Sequence, residues 1–268
     1  MFKKELNAKI LTIDLEDWFQ VYNFSEIIKF GDWDKQESRI VNNTHKILNL
    51  LEAYNTKATF FVLGWNAEKF PELVKEVKDK GHEIACHGYN HKPIFLMTKE
   101  EFSEDLNKAI NAIKKATGVR PIGYRAPSFS IVKKTLWALD ILREKGFKYD
   151  SSMVPVSHPD YGIKGIPKKP FEIKGILEIP MTTTYGLPVG GGYFRVYPYW
   201  LTKLLLRKNK NAVFYIHPWE LDPGIPRYKL PLQKRFRHYI GLKKTGKKFK
   251  KLLRDFSFTK MDERLSNT

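Results

Sequence analysis

The chain has 268 residues, of which 42% are hydrophobic and 14% aromatic, which allows one sizeable core and excludes a wholly disordered chain. Its net charge is +18, and residues 225–268 carry +11 of that charge, because 14 lysines and arginines there face only three acidic residues. A lone cysteine, Cys86, excludes an intrachain disulfide, and with neither a signal peptide nor an apolar run long enough to cross a bilayer, we expect a cytoplasmic protein.

Strand and helix patterns alternate along the first half of the chain. Short apolar runs predict strands over 9–13, 58–63 and 83–86. Apolar residues at helical spacing predict helices over 41–54, 70–80 and 98–117. The third helix has the clearest boundaries, because its TKEE start predicts a capping box from Thr98 to Glu101 and Gly118 follows its end.

The alternation continues through the second half, where two long segments interrupt it. Strands are predicted over 122–124, 147–150, 176–179 and 212–216, and a helix over 134–145. A second helix, basic in composition, is predicted over 236–255, in a C-terminal helical region of about 230–256. The Pro- and Gly-rich segments 155–170 and 185–193 are predicted to be functional loops. Such alternation favours parallel strands in a barrel or a doubly wound sheet, with the active site at the carboxyl ends of the strands.

Ionisable residues gather at those predicted strand ends. They are Asp14, Glu16, Asp17, His87, His91, Arg125, Asp150 and His217. Because parallel strands end on one side of a sheet or at one mouth of a barrel, these groups are expected to meet. The sequence therefore predicts one polar site assembled from separate strands.

The segment HEIACHGYNH, residues 82–91, raises the question of a metal site. His87 and His91 leave the predicted strand through a glycine, and a loop can bring both rings onto one ion. Together with the acidic cluster, two imidazoles and a carboxylate form the donor set of catalytic zinc and similar divalent ions. The alternatives are a structural histidine pair and a reactive Cys86. Because Cys86 ends the apolar run IAC, we expect it to be a packing residue.

Two further features are candidate substrate contacts. In the segment GGGYFR, Tyr193 and Arg195 are predicted to face the substrate, with Arg195 contacting an acidic group, unless the segment is a structural turn. Trp219 follows the last predicted strand, and its ring is expected either to stack on a sugar or to pack in the core.

Seven segments resemble the polysaccharide deacetylase family (carbohydrate esterase family four, with the NodB homology domain), and most closely its exopolysaccharide-locus branch. In chain order they are TIDLEDWFQV, ATFFVLGW, GHEIACHGYNH, GYRAPSFS, YDSSM, GGGYFR and FYIHPWELD. The resemblance implies a single α/β domain over residues 1–268, a distorted (β/α)7 TIM-like barrel with the basic C-terminal helix packed on it or appended to it. It also implies removal of N-acetyl groups from N-acetylglucosamine-type residues in a polysaccharide or a lipid-linked oligosaccharide.

The resemblance also implies the catalytic residues. Asp14 corresponds to the family's base, and Arg125 to the arginine that holds that base. His217 corresponds to the general acid, and Asp150 to the carboxylate that pairs with it. The backbone N–H of Ser128 is expected to stabilise the oxyanion.

The metal ligands implied by the resemblance are His87, His91 and one acidic residue. The family usually has two adjacent aspartates in its first motif, whereas here Leu15 follows the predicted base and two acids come next. Glu16 shares the strand face of the base if the strand continues, and Asp17 turns inward if the strand ends earlier, so both remain candidates. The fourth motif departs as well, because SSMVP lacks the family's Asp-Trp pair.

The implied cofactor is a divalent metal ion, with zinc preferred and cobalt, manganese, nickel or iron as alternatives. The expected partners are an N-acetylated glycan and, through the basic C-terminal region, an anionic membrane surface or a lipid-linked substrate at the inner face of the membrane. No nucleic-acid partner is expected, because the chain has no recognised nucleic-acid motif. The alternative functions are hydrolysis of another amide, such as a cyclic amide or small aminosugar, and non-catalytic glycan binding.

Overall fold

The computed structural model describes residues 9–158 and 161–265 of the chain. Its strands are β1 (Lys9–Leu15), β2 (Thr59–Val62), β3 (Glu83–Cys86), β4 (Gly123–Tyr124), β5 (Tyr149–Asp150), β6 (Phe171–Ile173), β7 (Ile176–Glu178), β8 (Thr183–Thr184), β9 (Leu187–Pro188), β10 (Val213–Ile216) and β11 (Phe258–Thr259). Its α-helices are α1 (Ile40–Ala53), α2 (Gly64–Lys69), α3 (Pro71–Asp79), α4 (Lys99–Thr117), α5 (Ala138–Glu144), α6 (Gly191–Val196), α7 (Tyr199–Arg207), α8 (Leu232–Tyr239), α9 (Leu242–Asp255) and α10 (Asp262–Leu265). Among these residues, no helix combines the length and apolar character needed to span a bilayer.

Among the described residues, the main sheet has nine strands, eight of which are parallel. Seven of these follow the hydrogen-bonded order β10-β1-β2-β3-β4-β5-β7, β11 pairs parallel with β1, and β6 pairs antiparallel with β7 at the edge. Helices α1, α3, α4 and α5 lie between successive strands in the chain, which is the connection that parallel pairing requires. The predicted strand–helix alternation and its parallel pairing are therefore confirmed.

The two faces of the strands enter different parts of the core. In β1, Leu11 and Ile13 join the apolar cluster beneath the helices, whereas Ile10 joins the cluster inside the curled sheet. Every residue of β1 is buried, as expected for a parallel strand covered on both faces. Because successive side chains alternate, Asp14 lies on the same inner face as Ile10, and the inner face leads to the site.

Cys86 ends β3 on the outer face, fully buried within the apolar cluster beneath the helices. Burial raises the pKa of its thiol well above the ordinary value, so the reactive thiolate is disfavoured. The expectation that Cys86 is a packing residue agrees with this position. The predicted capping box is confirmed at the start of α4, where Thr98 accepts from the Glu101 N–H and the Glu101 carboxylate accepts from the Thr98 N–H.

The prediction of one basic C-terminal helix is wrong, because the structure has two helices, α8 and α9. They are separated at Gly241, which has a φ of +75°. A Cβ at this position would lie 2.4 Å from the carbonyl oxygen of Arg195, so the break depends on a tertiary contact and on the conformational freedom of glycine.

The prediction that 185–193 is entirely a loop is also wrong in part. The segment contains β9 and the start of α6. A Cβ on Gly190 or Gly191 would collide with the ring of Tyr215, at 2.3 Å and 2.6 Å respectively. The glycines therefore allow the start of α6 to pack directly against β10.

Candidate active site

A cavity of about 490 Å³ opens at the carboxyl ends of β1, β3, β4 and β10. The predicted site residues that line it are Asp14, Glu16, His87, His91, Ser128, Tyr193, Arg195, His217 and Trp219. The expectation that polar groups from separate strand ends meet in one place agrees with this arrangement. Arg125 and Asp150 are fully buried behind the cavity wall, and Asp17 is buried elsewhere, as described below.

Arg125 fixes the carboxylate of Asp14. The Arg125 Nη1–H donates to Asp14 Oδ1 at 2.6 Å and to Thr12 Oγ1 at 2.8 Å, and Nε–H donates to the carbonyl of Ser151 at 3.0 Å. The guanidinium also lies 4.0 Å above the ring of Phe61. With Arg125 held by three elements, one oxygen of Asp14 is anchored and Oδ2 remains on the side of the cavity, 3.8 Å from His217 Nε2.

Glu16, His87 and His91 form a buried cluster whose ligand-type atoms all lie within 4.8 Å of one another. Glu16 comes one residue after β1, and its backbone N–H donates to the carbonyl of Asp14 at 3.0 Å. His91 has a φ of +54°, an uncommon backbone conformation that turns the chain after β3 back toward the site. The cluster therefore joins the ends of β1 and β3, the two strands on either side of β2 in the sheet.

The ring of His87 has a defined tautomer. Its Nδ1 lies 2.8 Å from the carbonyl oxygen of Arg125, and since a carbonyl only accepts, Nδ1 carries the hydrogen and Nε2 keeps its lone pair. Burial, with a contribution from neighbouring His91, lowers the pKa of His87 to about 3. His87 is therefore a neutral imidazole whose Nε2 is available as a metal ligand.

Glu16 supplies a charged oxygen to the cluster. Burial by itself would raise the pKa of Glu16, but the facing rings of His91 and His217 leave that pKa below its ordinary value. Glu16 Oε2 lies 2.8 Å from His91 Nε2, yet the two atoms are not aligned as a hydrogen bond, and this oxygen has no hydrogen-bond partner among the described residues. Two imidazoles and one such carboxylate fit a divalent ion of the zinc type.

Asp17, the other candidate acidic ligand, is not brought into this cluster. Its Oδ2 accepts from the Ser38 hydroxyl and the Arg39 N–H, both at 2.8 Å, and its Oδ1 accepts from the Trp18 N–H at 2.8 Å. These bonds tie the loop after β1 to the start of α1. Burial raises the pKa of Asp17 even though these hydrogen bonds lower it. Because its oxygens accept hydrogen bonds from the protein, Asp17 has a structural role.

His217 faces three carboxylates at the end of β10. Its Nε2 lies 3.2 Å from Glu16 Oε1 and 3.8 Å from Asp14 Oδ2, and its Nδ1 lies 3.2 Å from Glu220 Oε2. Burial alone would lower the pKa of His217, but Glu16 and Glu220 together raise it to about 9. The surrounding carboxylates therefore favour the protonated form of the ring.

Glu220, which was not predicted from the sequence, takes the position expected for Asp150. Pro218 starts a 3-10 turn over Pro218–Leu221, and the turn brings the Glu220 carboxylate back to His217, whose backbone N–H donates to it at 3.1 Å. Burial would raise the pKa of Glu220, but His217 and Arg195 lower it to about 2. The HPWE sequence carries this signal as an acid three residues after the histidine.

The predicted pairing of Asp150 with His217 is wrong, because the Asp150 carboxylate lies against other residues. It accepts from the Ser152 hydroxyl at 2.5 Å and faces Glu178 on the adjacent strand. Burial raises the pKa of both carboxyl groups, and the nearby charge of Asp150 raises that of Glu178 further. Since Ser152 Oγ also accepts from the Ala126 N–H at 2.7 Å, Asp150 supports the segment that carries Arg125.

Arg195 is buried and its donors are engaged by the protein. Its guanidinium donates to Glu220 Oε1 at 2.6 Å and to the carbonyls of Arg237, His238 and Ile240 at 2.7, 2.6 and 3.1 Å. The predicted contact between Arg195 and an acidic substrate group is therefore not the contact the structure shows. Arg195 instead joins the Glu220–His217 pair to the end of α8.

The remaining predicted substrate contacts line the cavity in different settings. Trp219 is almost fully buried and is stacked between two imidazole rings. Its ring centroid lies 5.5 Å from that of His217 and 4.5 Å from that of His238. The Tyr193 hydroxyl lies 2.8 Å from the Tyr161 hydroxyl. Ser128 has a φ of +56°, which turns the backbone sharply beside the cavity. Trp219 supports His217, while the other two side chains remain candidate contacts.

Comparison with known families matches the chain in two adjoining segments. Residues 29–149 match the model described as polysaccharide deacetylase, and residues 151–266 match a model described as a domain of unknown function, DUF3473. The main sheet contains strands from both segments, with β2 to β4 in the first, β5 at the boundary, and β7 and β10 in the second. The two segments therefore build one sheet around the cavity.

Individual proteins agree with this assignment. A peptidoglycan deacetylase of Helicobacter pylori is 36% identical over 43% of this chain, and a peptidoglycan-N-acetylglucosamine deacetylase of Bacillus cereus is 33% identical over 48%. The matches span 38% and 50% of those two proteins. The crystal structure of a putative polysaccharide deacetylase from Mycobacterium smegmatis superimposes with a TM-score of 0.61 at 19% identity, covering 97% of this chain and 90% of that one. Its fold confirms the predicted (β/α)7 barrel architecture.

Proposed function

Because the chain belongs to the polysaccharide deacetylase family, we propose that it is a metal-dependent hydrolase that removes N-acetyl groups from amino sugars of a polysaccharide or a lipid-linked oligosaccharide. The observation that carries the proposal is the buried cluster of Glu16, His87 and His91, which lies beside Asp14 and His217 in one cavity. A base, an acid and a metal-type donor set within a few ångströms of one another are what amide hydrolysis needs.

Glu16, His87 and His91 would hold the divalent ion, with zinc as the first expectation. The ion would supply Lewis acidity, lowering the pKa of water and polarising the acetyl carbonyl. The chain prepares the donor set by keeping His87 neutral and Glu16 charged, and it orients His87 through the Nδ1–H bond to the Arg125 carbonyl. Such a second bond typically tightens a histidine ligand.

Asp14 acts as the general base. The amide is unreactive because neutral water is a poor nucleophile, and a carboxylate that removes its proton increases that reactivity. Arg125 holds Asp14 through Oδ1, which leaves Oδ2 facing the cavity to accept the proton. The backbone N–H of Ser128, at the cavity wall, is proposed to donate to the developing oxyanion.

His217 acts as the general acid. An amine anion is a poor leaving group, so the nitrogen must gain a proton as the C–N bond breaks. Glu220 keeps the ring protonated and oriented from the Nδ1 side, and Arg195 holds Glu220 in turn. The result is a chain of three side chains that delivers a proton from Nε2 toward the cavity.

The family and the cavity together support the proposed substrate class. The cavity of about 490 Å³ has aromatic residues in its wall, including Tyr161, Tyr193 and Phe129, and aromatic rings offer apolar faces with polar edges to a sugar. Its size falls within the range of small-molecule sites. We propose an N-acetylglucosamine-type residue as the unit bound.

The test is acetate release from N-acetylglucosamine oligomers by protein that has been stripped with a chelator and reloaded with zinc, cobalt, manganese, nickel or iron. We expect activity to disappear with the chelator, to return with one of these ions, and to be absent in His87→Ala. His45→Ala is the matched control, since His45 is half-exposed and pairs with Glu76 away from the cluster, and it should retain activity. Stoichiometric metal binding without acetate release from any N-acetylated sugar would contradict the proposal.

A further inference from the structure

Helix α8 forms part of the cavity wall with one face and presents another face to solvent. His238 is its one buried residue and lines the cavity. Leu232 and Phe236 are 83% and 57% exposed, and their i, i+4 spacing puts them on one face of the helix. Exposing two large apolar side chains side by side is unfavourable in water, and such paired exposure marks an interaction surface.

The same part of the chain is strongly basic. Residues 224–254 contain 12 lysines and arginines and no acidic residue. Within α8, Arg235 is exposed between Leu232 and Phe236, and Lys229 is exposed just before the helix. A helix with apolar residues on one side and cations around them is the pattern of a segment that lies in the headgroup region of a membrane.

The apolar face is continuous with the entrance of the cavity. Phe236, Val196 and Tyr22 all line the cavity, and they are 57%, 50% and 39% exposed. Their chain segments are far apart, so the fold has gathered three exposed apolar side chains at one opening. A surface that contacts this rim would therefore lie directly over the route to Asp14 and His217.

We propose that α8, with the rim formed by Tyr22, Val196 and Phe236, docks the protein on an anionic lipid bilayer. Apolar side chains enter the acyl boundary while the cations contact lipid headgroups. A second copy of the chain does not suit this face, because its own cations would repel it. A dissolved anionic polymer would bind the cations but would leave Leu232 and Phe236 in water.

The docking proposal rests on the exposed face of α8 and does not depend on the proposed deacetylation. Where both hold, the cavity opens toward the headgroup layer, which suits a substrate whose sugar is attached to a lipid. Docking measured on lipid vesicles without substrate keeps the two proposals distinguishable.

The experiment is flotation of the full chain with vesicles of phosphatidylcholine, with and without phosphatidylglycerol. We expect the protein to float with the anionic vesicles and to stay behind with the neutral ones. L232S/F236S should weaken the partition coefficient by at least about tenfold, because two apolar side chains no longer enter the bilayer. R235Q should weaken it by about fivefold.

The matched controls are V119S and K114Q/K115Q. Val119 is 46% exposed, the two lysines are exposed at the end of α4, and all three come just before the amino end of β4, whereas the cavity lies at the carboxyl ends of the strands. These variants should float like the unaltered protein, and circular dichroism should show every variant folded. Equal flotation of L232S/F236S and the unaltered chain would overturn the proposal. Binding to a dissolved anionic polysaccharide but not to anionic vesicles would overturn it as well.

Discussion

The two ends of β3 each carry a buried cluster of histidine and glutamate with opposite properties. At the amino end, Glu83 accepts from the Thr59 hydroxyl at 2.6 Å, the Tyr149 hydroxyl at 2.7 Å and the Asp262 N–H at 3.0 Å. At the carboxyl end, Glu16 Oε2 faces His91 without a hydrogen bond and opens to a cavity. In the first cluster the carboxylate oxygens of Glu83 accept hydrogen bonds from the protein, whereas in the second cluster Glu16 Oε2 is available to a ligand.

This difference shows that residue types alone do not define a site. Both clusters are buried, and each places an acid and a histidine at one end of β3: Glu83 and His82 at the amino end, and Glu16 with His87 and His91 at the carboxyl end. What separates them is whether protein hydrogens occupy the lone pairs, since an acceptor that receives good hydrogen bonds is structural and an unpartnered one invites a ligand. The predictions below test whether activity belongs to one end and stability to the other.

The largest effect is expected from Asp14→Asn at the carboxyl end. The amide cannot take the proton of water, so kcat should fall by about a thousandfold, as for the loss of a general base. Metal content should remain, because Asp14 lies outside the ligand cluster. Steady-state kinetics and metal analysis of the purified variant check this. A near-normal kcat for the variant would show that Asp14 is not the general base.

Glu83→Ala at the amino end should act on stability instead. It leaves the hydroxyls of Thr59 and Tyr149 buried without an acceptor, and the free energy of unfolding should fall by about 3 kcal/mol. Turnover per folded molecule should stay unchanged at a temperature where the variant is folded. Urea unfolding and a rate assay measure both. A large loss of turnover with unchanged stability would abolish the distinction between the two ends.

Glu220→Gln is expected to lower kcat by about thirtyfold through His217, with KM and metal content little changed. The amide can no longer support a protonated ring, although it keeps a similar shape. The matched control is Glu76→Gln, which removes the same kind of contact, 2.9 Å, from half-exposed His45. Equal activity of the two variants would show that Glu220 does not act on the catalytic proton.

His82, at the amino end, is expected to give a smaller effect that depends on pH. Burial, together with the charges of Lys57, Lys80 and Lys260, lowers its pKa to about 4. The unfolded chain therefore binds a proton that the folded ring does not, and stability should fall as the pH drops from about 6.5 toward 4.

His82→Asn removes this proton binding and should flatten that part of the pH profile relative to the unaltered protein. Unfolding midpoints measured from pH 8 to pH 4 give the comparison. Parallel profiles for the two proteins would mean that His82 is not buried in its neutral form.

Most of the fold followed from local patterns. A short apolar run predicted β3 over its observed span, and the capping box predicted the start of α4. The break at Gly241 did not follow, because it depends on the Arg195 backbone, which is close in space and distant in sequence. Short α2 was missed for a similar reason, since six residues carry too little periodicity to identify a helix.

The sequence predicted which residue types form the site better than it predicted which of these residues contact one another. The sequence left Glu16 and Asp17 open, because the choice depends on where β1 ends, and β1 continues to Leu15. Arg195 was expected to be free for substrate, but carbonyls more than 40 positions away occupy it. Glu220 was missed because its contact with His217 depends on the 3-10 turn over Pro218–Leu221, although its spacing of three residues from His217 is present in the sequence.

The most direct test of the metal centre compares Glu16→Gln with Asp17→Asn. The two acids are adjacent, equally buried and of the same charge, but only Glu16 lies in the cluster with the histidines. Zinc content after dialysis, measured by mass spectrometry on folded protein, should be near zero for Glu16→Gln and stoichiometric for Asp17→Asn. Retention of zinc by Glu16→Gln together with its loss from Asp17→Asn would contradict the assignment of the metal site.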